Sequence, residues 1–220
     1  MDQSSTKQET GSSYFIQKHS PVIRIWHWLT FIIITSIIVT VLLNSTIMNQ
    51  RDNIKVVQNV LKSKEVTVTD DQAFAVTREY EDKLWGVHKI LGYAIAILLL
   101  SRILLELVQP SEEKLSSRIK HAMGLKKKND GNKKEYQHYL IVKLGYLLFY
   151  LLLICMALTG LSIAFGRDLG LSRELRETIK EIHSFGQYCM YAFVFIHLCG
   201  VIVADIKNSK GIVSGMINGN

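Results

Sequence analysis

Apolar and charged positions are segregated along this chain. No Asp, Glu, Lys or Arg occurs from Ile25 to Gln50, from Leu144 to Gly166, or from Ile182 to Ala204. About 20 helical residues cross a hydrocarbon core, so each window is long enough to span one. Soluble helices rarely carry such runs. A fourth apolar segment, Leu84–Val108, is interrupted by Lys89, Arg102 and Glu106. Its uninterrupted part, Ile90–Ser101, has 12 residues, about 18 Å of helix. Between two clear spans it reads as a membrane helix with polar residues near its ends, Lys89 snorkelling to the interface. The pattern predicts an all-α integral membrane protein, a four-transmembrane-helix bundle with helices over about 23–44, 84–108, 139–166 and 182–206. Residues 1–18 read as a disordered N-terminus, 19–208 as the four-helix domain and 209–220 as a tail.

The polar stretches add detail. Ile54, Val57, Val60 and Leu61 fit one helical face, which predicts a short amphipathic helix at the surface. Thr69-Asp70 can cap a further helix running toward Trp85. The segment Pro110–His138 carries eight Lys/Arg, with the run Lys126-Lys127-Lys128, against four acids. Lys7, Lys18 and Arg24 precede the first span, and Lys207 and Lys210 follow the last. Ser45–Lys83 holds six Lys/Arg outnumbered by seven acids. By the positive-inside rule both termini and the middle segment are cytoplasmic. The net charge of +7 is a topology signal on this reading, and no nucleic-acid partner is expected.

The first span is too long for a cleaved signal peptide and lacks Ala-x-Ala-like chemistry after it. Cys155, Cys189 and Cys199 all lie in apolar spans without a CxxC motif. They read as small packing residues, and covalent haem attachment is disfavoured.

Seven histidines occur. His19, His121 and His138 fall in loops or at a span edge, where solvent exposure is the default. The other four lie inside spans, where an ionisable side chain is costly and usually functional. With the first span running outward, His27 sits near its inner end. The second runs inward and places His88 near its outer end. The fourth also runs inward, from His183 at the outer end to His197 fourteen residues on. Fourteen residues fall within about 40° of four full turns and advance about 21 Å, so these two share a face at two depths. His88 matches His183 in depth, and His27 matches His197. Two His–His pairs between different helices suit bis-histidine ligation of two haem irons. Hydrogen bonding between helices is the ordinary alternative for a lone intramembrane histidine. A zinc site would want its ligands at one depth.

Other residues support a cofactor reading. Gly92 lies one turn after His88, and Gly186 three residues after His183, where small residues allow close approach to the backbone. Ordinary helix packing accounts for them almost as well. Arg102 lies fourteen residues after His88, at inner depth; a haem propionate and Glu106 at i+4 are its two candidate partners. Arg24, beside His27, is a second propionate candidate. Trp26 and Trp28 flank His27 as an interfacial belt.

These residues resemble the bacterial di-haem cytochrome b family, which groups cytochrome b561 with the cytochrome subunits of Ni–Fe hydrogenases and formate dehydrogenases. The resemblance rests on Arg24-Ile25-Trp26-His27-Trp28, His88-Lys89-Ile90-Leu91-Gly92 with Arg102, Thr159-Gly160, and His183 with His197. It implies two haems b, ligated by His27 with His197 and by His88 with His183. It further implies electron transfer between a periplasmic oxidoreductase, hydrogenase- or dehydrogenase-like, and membrane menaquinone or ubiquinone, in the lipid of the bacterial inner membrane. A quinone pocket is expected beside the inner haem, with His138 and Lys143 as candidate contacts. The alternatives are a free-standing quinone-linked oxidoreductase acting on a small oxidant such as superoxide, with Lys83, Lys89 and Lys180 as an attracting rim, and a haem-free membrane anchor.

Overall fold

A computed structural model describes residues 20–108, 133–207 and 212–218. Among the described residues six helices occur in this order: α1 Pro21–Ser45, α2 Gln50–Lys62, α3 Asp70–Val108, α4 Lys133–Phe165, α5 Arg173–Lys207 and α6 Ile212–Asn218. No strand occurs among the described residues. Helices α1, α3, α4 and α5 are long and apolar enough to cross a membrane. The expected N-terminal disorder, the run Lys126-Lys127-Lys128, His19 and His121 lie outside the described residues.

The helix starts follow local chemistry. Ser20 precedes Pro21, and its Oγ accepts a hydrogen bond from the Ile23 amide at 3.4 Å. Proline suits the first helical position because its missing N–H is one that has no intrahelical partner anyway. Asn49 caps α2 by accepting from the Arg51 amide at 3.1 Å. Thr69 and Gln72 form a reciprocal capping box at the start of α3. The Gln72 amide donates to Thr69 Oγ1 at 3.3 Å, and the Thr69 amide donates to Gln72 Oε1 at 3.0 Å. Ser172 does the same work for α5, accepting from the Leu175 amide at 3.2 Å. Between α4 and α5 the chain turns at Gly170, whose φ of +67° is open to glycine without strain.

Three helices begin earlier than the hydrophobic pattern alone predicts. Helix α3 starts at Asp70 rather than Leu84, α4 at Lys133 rather than 139, and α5 at Arg173 rather than 182. No Gly or Pro separates Asp70 from Leu84 or Arg173 from Ile182, and Glu, Lys and Arg are good helix formers. The helix expected after Thr69 and the second span are therefore one continuous rod. Its 39 residues run about 58 Å, nearly twice the hydrocarbon thickness.

The chain divides into two compact units. One comprises Phe31–Gln187. Within it α2 packs on the first part of α3: Ala73 is fully buried, Thr77 is buried, and Gln58 Nε2 donates to Asp70 Oδ1 at 2.6 Å. On α2, Ile54, Val57 and Leu61 are half-buried, whereas Val60 is exposed and leaves the expected apolar face. Ile34, Ile95, Leu99 and Leu153 complete this unit's small core. The other unit joins the residues up to Thr30 with those from Tyr188 onward, and Met190 is its buried apolar residue. Large apolar side chains such as Ile97, Leu104, Leu151 and Phe195 stay exposed, as expected where the surrounding solvent is lipid.

Candidate functional site

In the unit that contains the start of α1, the residues of helix turn and helix end converge on two imidazoles. The His27 and His197 ring centroids lie 6.4 Å apart, with the planes inclined at 57°. One turn before His197 on α5, the Phe193 ring lies parallel to the imidazole at 6.2 Å. Trp28 meets His27 edge-on at 5.6 Å. The segment expected to be a tail supplies α6, which docks here. Arg24 Nη1 donates to the Ile217 carbonyl at 3.1 Å, and Trp28 Nε1 donates to the Met216 carbonyl at 3.1 Å. The last carbonyls of a helix lack intrahelical donors and carry partial negative charge, so a guanidinium and an indole N–H suit them. Arg24, a propionate candidate by sequence, thus engages the end of α6.

A prediction follows for this contact. Trp28→Phe keeps the aromatic bulk and removes the donor, which should weaken α6 docking by about 1 kcal/mol. A cysteine placed at Ile217 should then react faster with a thiol reagent than in the unaltered background. Equal labelling rates would show that the indole does not hold α6.

The second unit holds His88 and His183. His88 Nδ1 lies 2.9 Å from Thr40 Oγ1, joining α3 to α1. His183 Nδ1 lies 2.8 Å from Thr159 Oγ1, joining α5 to α4. Each threonine oxygen also lies against a carbonyl of its own helix: Thr40 donates to Ile37 O at 2.7 Å, and Thr159 to Cys155 O at 2.6 Å. Gly160 stands beside the His183 ring, where a Cβ would approach the imidazole Cε1 to 3.2 Å. Trp85 packs edge-on against His88 at 5.3 Å. The helix-linking bonds expected of membrane histidines are therefore present, but each uses one ring nitrogen and leaves Nε2 for another partner.

Gly92 and Gly186 differ. A Cβ at Gly92 would meet nothing within 4 Å, leaving open space one turn from His88. A Cβ at Gly186 would press on Met156 Sδ at 2.7 Å, so this glycine makes room for a side chain of α4. Arg102 Nη2 lies 3.3 Å from Glu106 Oε2, and its Nε donates to Tyr150 Oη at 3.2 Å. Lys83 pairs with Glu79 at 3.6 Å and lies over the Tyr80 ring. The side chains of His138 and Lys143 lie outside the described residues.

Thr40 and Thr159 beside the His88 and His183 rings, Tyr150 beside Arg102, and α6 beside Arg24 and Trp28 were not distinguished by the sequence. Thr159 stood in a quoted motif, but threonine is common in membrane helices and its spacing alone signals nothing.

The chemistry available is that of a two-imidazole clamp. Metal–imidazole bonds run about 2 Å. Two such bonds on opposite sides, plus on the order of 1 Å from each nitrogen to its ring centre, separate the centroids by roughly 6 Å. The 6.4 Å between His27 and His197 would suit a metal ion held between the two rings. No group of three or more His, Cys, Asp or Glu side chains that could hold a bare ion occurs among the described residues. A pair of imidazoles would be the protein's share of the ligands to a haem iron.

A model of the family described as prokaryotic cytochrome b561 matches residues 18–219. No curated protein and no solved structure matches the chain.

Proposed function

The chain belongs to the prokaryotic cytochrome b561 family, multi-pass bacterial inner-membrane proteins that transfer electrons on haem b, and from that membership we propose that it holds two haems b and moves electrons between a periplasmic oxidoreductase and the membrane quinone pool. His27 with His197 would hold one haem on the cytoplasmic side, and His88 with His183 the other on the periplasmic side. The separation of the His27 and His197 rings is the observation that supports this reading most. The bound group supplies the one-electron chemistry. The chain would supply imidazole nitrogens, ring orientation and an apolar surround.

Topology enters the proposal through charge: Lys and Arg concentrate at both ends and in the middle segment, which favours a cytoplasmic location for them. Helix α2 and the first turns of α3 then lie on the periplasmic side. There Val56, Val60, Phe74, Val76 and Tyr80 are exposed among charged residues, a surface suited to a protein partner. Acidic Glu79, Glu81 and Asp82 stand in the same stretch, and Lys83 is paired, so a cationic funnel for superoxide is poorly supported.

The test is reconstitution of the purified chain in liposomes. A quinol in the bilayer should reduce its haems, and superoxide should drive no quinone reduction. Rapid superoxide-dependent quinone reduction by the chain alone would overturn the subunit role in favour of a free-standing enzyme.

A further inference from the structure

We propose that Thr40 and Thr159 are positioning residues that fix the tautomer and raise the basicity of His88 and His183; this rests on the reading of those histidines as haem ligands. A threonine hydroxyl has one proton and two lone pairs. Thr40 lies 2.7 Å from the Ile37 carbonyl, and Thr159 lies 2.6 Å from the Cys155 carbonyl. Carbonyl oxygen only accepts, so each hydroxyl spends its proton there. Each threonine oxygen can then only accept from the imidazole at 2.9 and 2.8 Å. His88 and His183 must therefore carry their proton on Nδ1, which leaves the Nε2 lone pair free on both rings.

The two contacts have the same construction although they arise from different helix pairs. In each, a histidine near one end of its span meets a threonine of a neighbouring helix, and the threonine is anchored to its own preceding turn. Gly160 adds a steric guide, since its bare Cα lets the His183 ring sit where a methyl would crowd Cε1. A ring N–H that donates to an oxygen acceptor makes the opposite nitrogen a stronger electron donor. A stronger donor favours ferric over ferrous iron. The threonines therefore set the periplasmic-side haem at a lower potential than the same imidazoles would without an acceptor.

The test compares Thr40→Val, Thr159→Val, Thr40→Ser and Thr159→Ser in the purified full chain, with haem count, potentiometric titration and low-temperature electron paramagnetic resonance. Valine keeps the shape and removes the hydroxyl; serine keeps the hydroxyl. Each valine variant should retain two haems and raise the midpoint of one. A tenfold loss of preference for the ferric state reads as about 59 mV. The ferric signal of that haem should also change, while both serine variants stay near the parent. If a valine variant loses a haem and the matching serine variant keeps it, the hydroxyl is equally shown to matter. Valine variants with two haems, unchanged midpoints and unchanged ferric signals would overturn the proposal, as would serine variants that behave like valine. Failure of the underlying ligand reading is seen separately, as His88→Ala retaining both haems.

Discussion

Replacing His183 with alanine is expected to yield a chain that binds one haem instead of two. His88→Ala should lose the same haem, and His27→Ala and His197→Ala should both lose the other. The pairing is the one proposed above. The His27 and His197 rings lie 6.4 Å apart in one unit, and His88 and His183 belong to the other, each in contact with a threonine. A bis-histidine iron that loses one axial imidazole keeps a single protein bond in a site shaped for two, and outer-sphere support cannot replace it. Potentiometric titration of the four variants reads the pairing directly. Each should show one component with the midpoint of one parent haem, and the variants should sort two and two. If His88→Ala and His27→Ala removed the same component, the pairing would be wrong.

The second large effect is expected at Arg102 and Glu106. Helix α3 carries three ion pairs at the same i,i+4 spacing in different surroundings. Arg78–Asp82 and Glu79–Lys83 have side chains exposed by 62–68%, so each contributes a few tenths of a kcal/mol at most. The Arg102 and Glu106 side chains are only 16% and 26% exposed, within a helix long and apolar enough to span. Removing one partner leaves a charge in a medium that solvates it poorly. Glu106→Leu should therefore destabilise the chain by about 3 kcal/mol, with Tyr150 unable to offset a full charge. The double change Arg102→Leu, Glu106→Leu should recover most of that loss. Denaturant unfolding in mixed micelles checks both. A double variant no more stable than Glu106→Leu would show that Arg102 serves something other than its ion pair.

Those two effects differ in how visible they are in the sequence. The uncharged windows mark three spans outright because membrane helices exclude charge over a length that soluble helices do not need. The histidines stand out for the same reason. The fourteen-residue interval between His183 and His197 gives a shared face through helix geometry alone. Threonine gives no such signal. Thr40 and Thr159 are ordinary in a membrane helix, and only the approach of a second helix within hydrogen-bonding distance distinguishes them.

Helix ends were legible only in part. Thr69 at the start of α3 was readable as a cap, whereas Ser20-Pro21 at the start of α1 was not read as one. The early start of α5, and the continuity of the helix after Thr69 with the second span, were hidden because hydropathy reports where lipid begins, not where helix begins. Helix α6 was hidden more completely: it is 7 residues long, includes Gly215, and is held through its carbonyls by Arg24 and Trp28 from the far end of the chain. Arg102 shows the converse case. Its Glu106 partner was readable at i+4, whereas the Tyr150 contact needed the packing of α3 on α4.

The central claim is that this chain holds two haems b between two histidine pairs. A pyridine haemochrome assay on the purified protein, set against a quantitative amino-acid analysis, tests it most directly. The account predicts two protohaems per chain with a b-type difference spectrum. A colourless protein from haem-replete cells, or a single haem per chain, would contradict it.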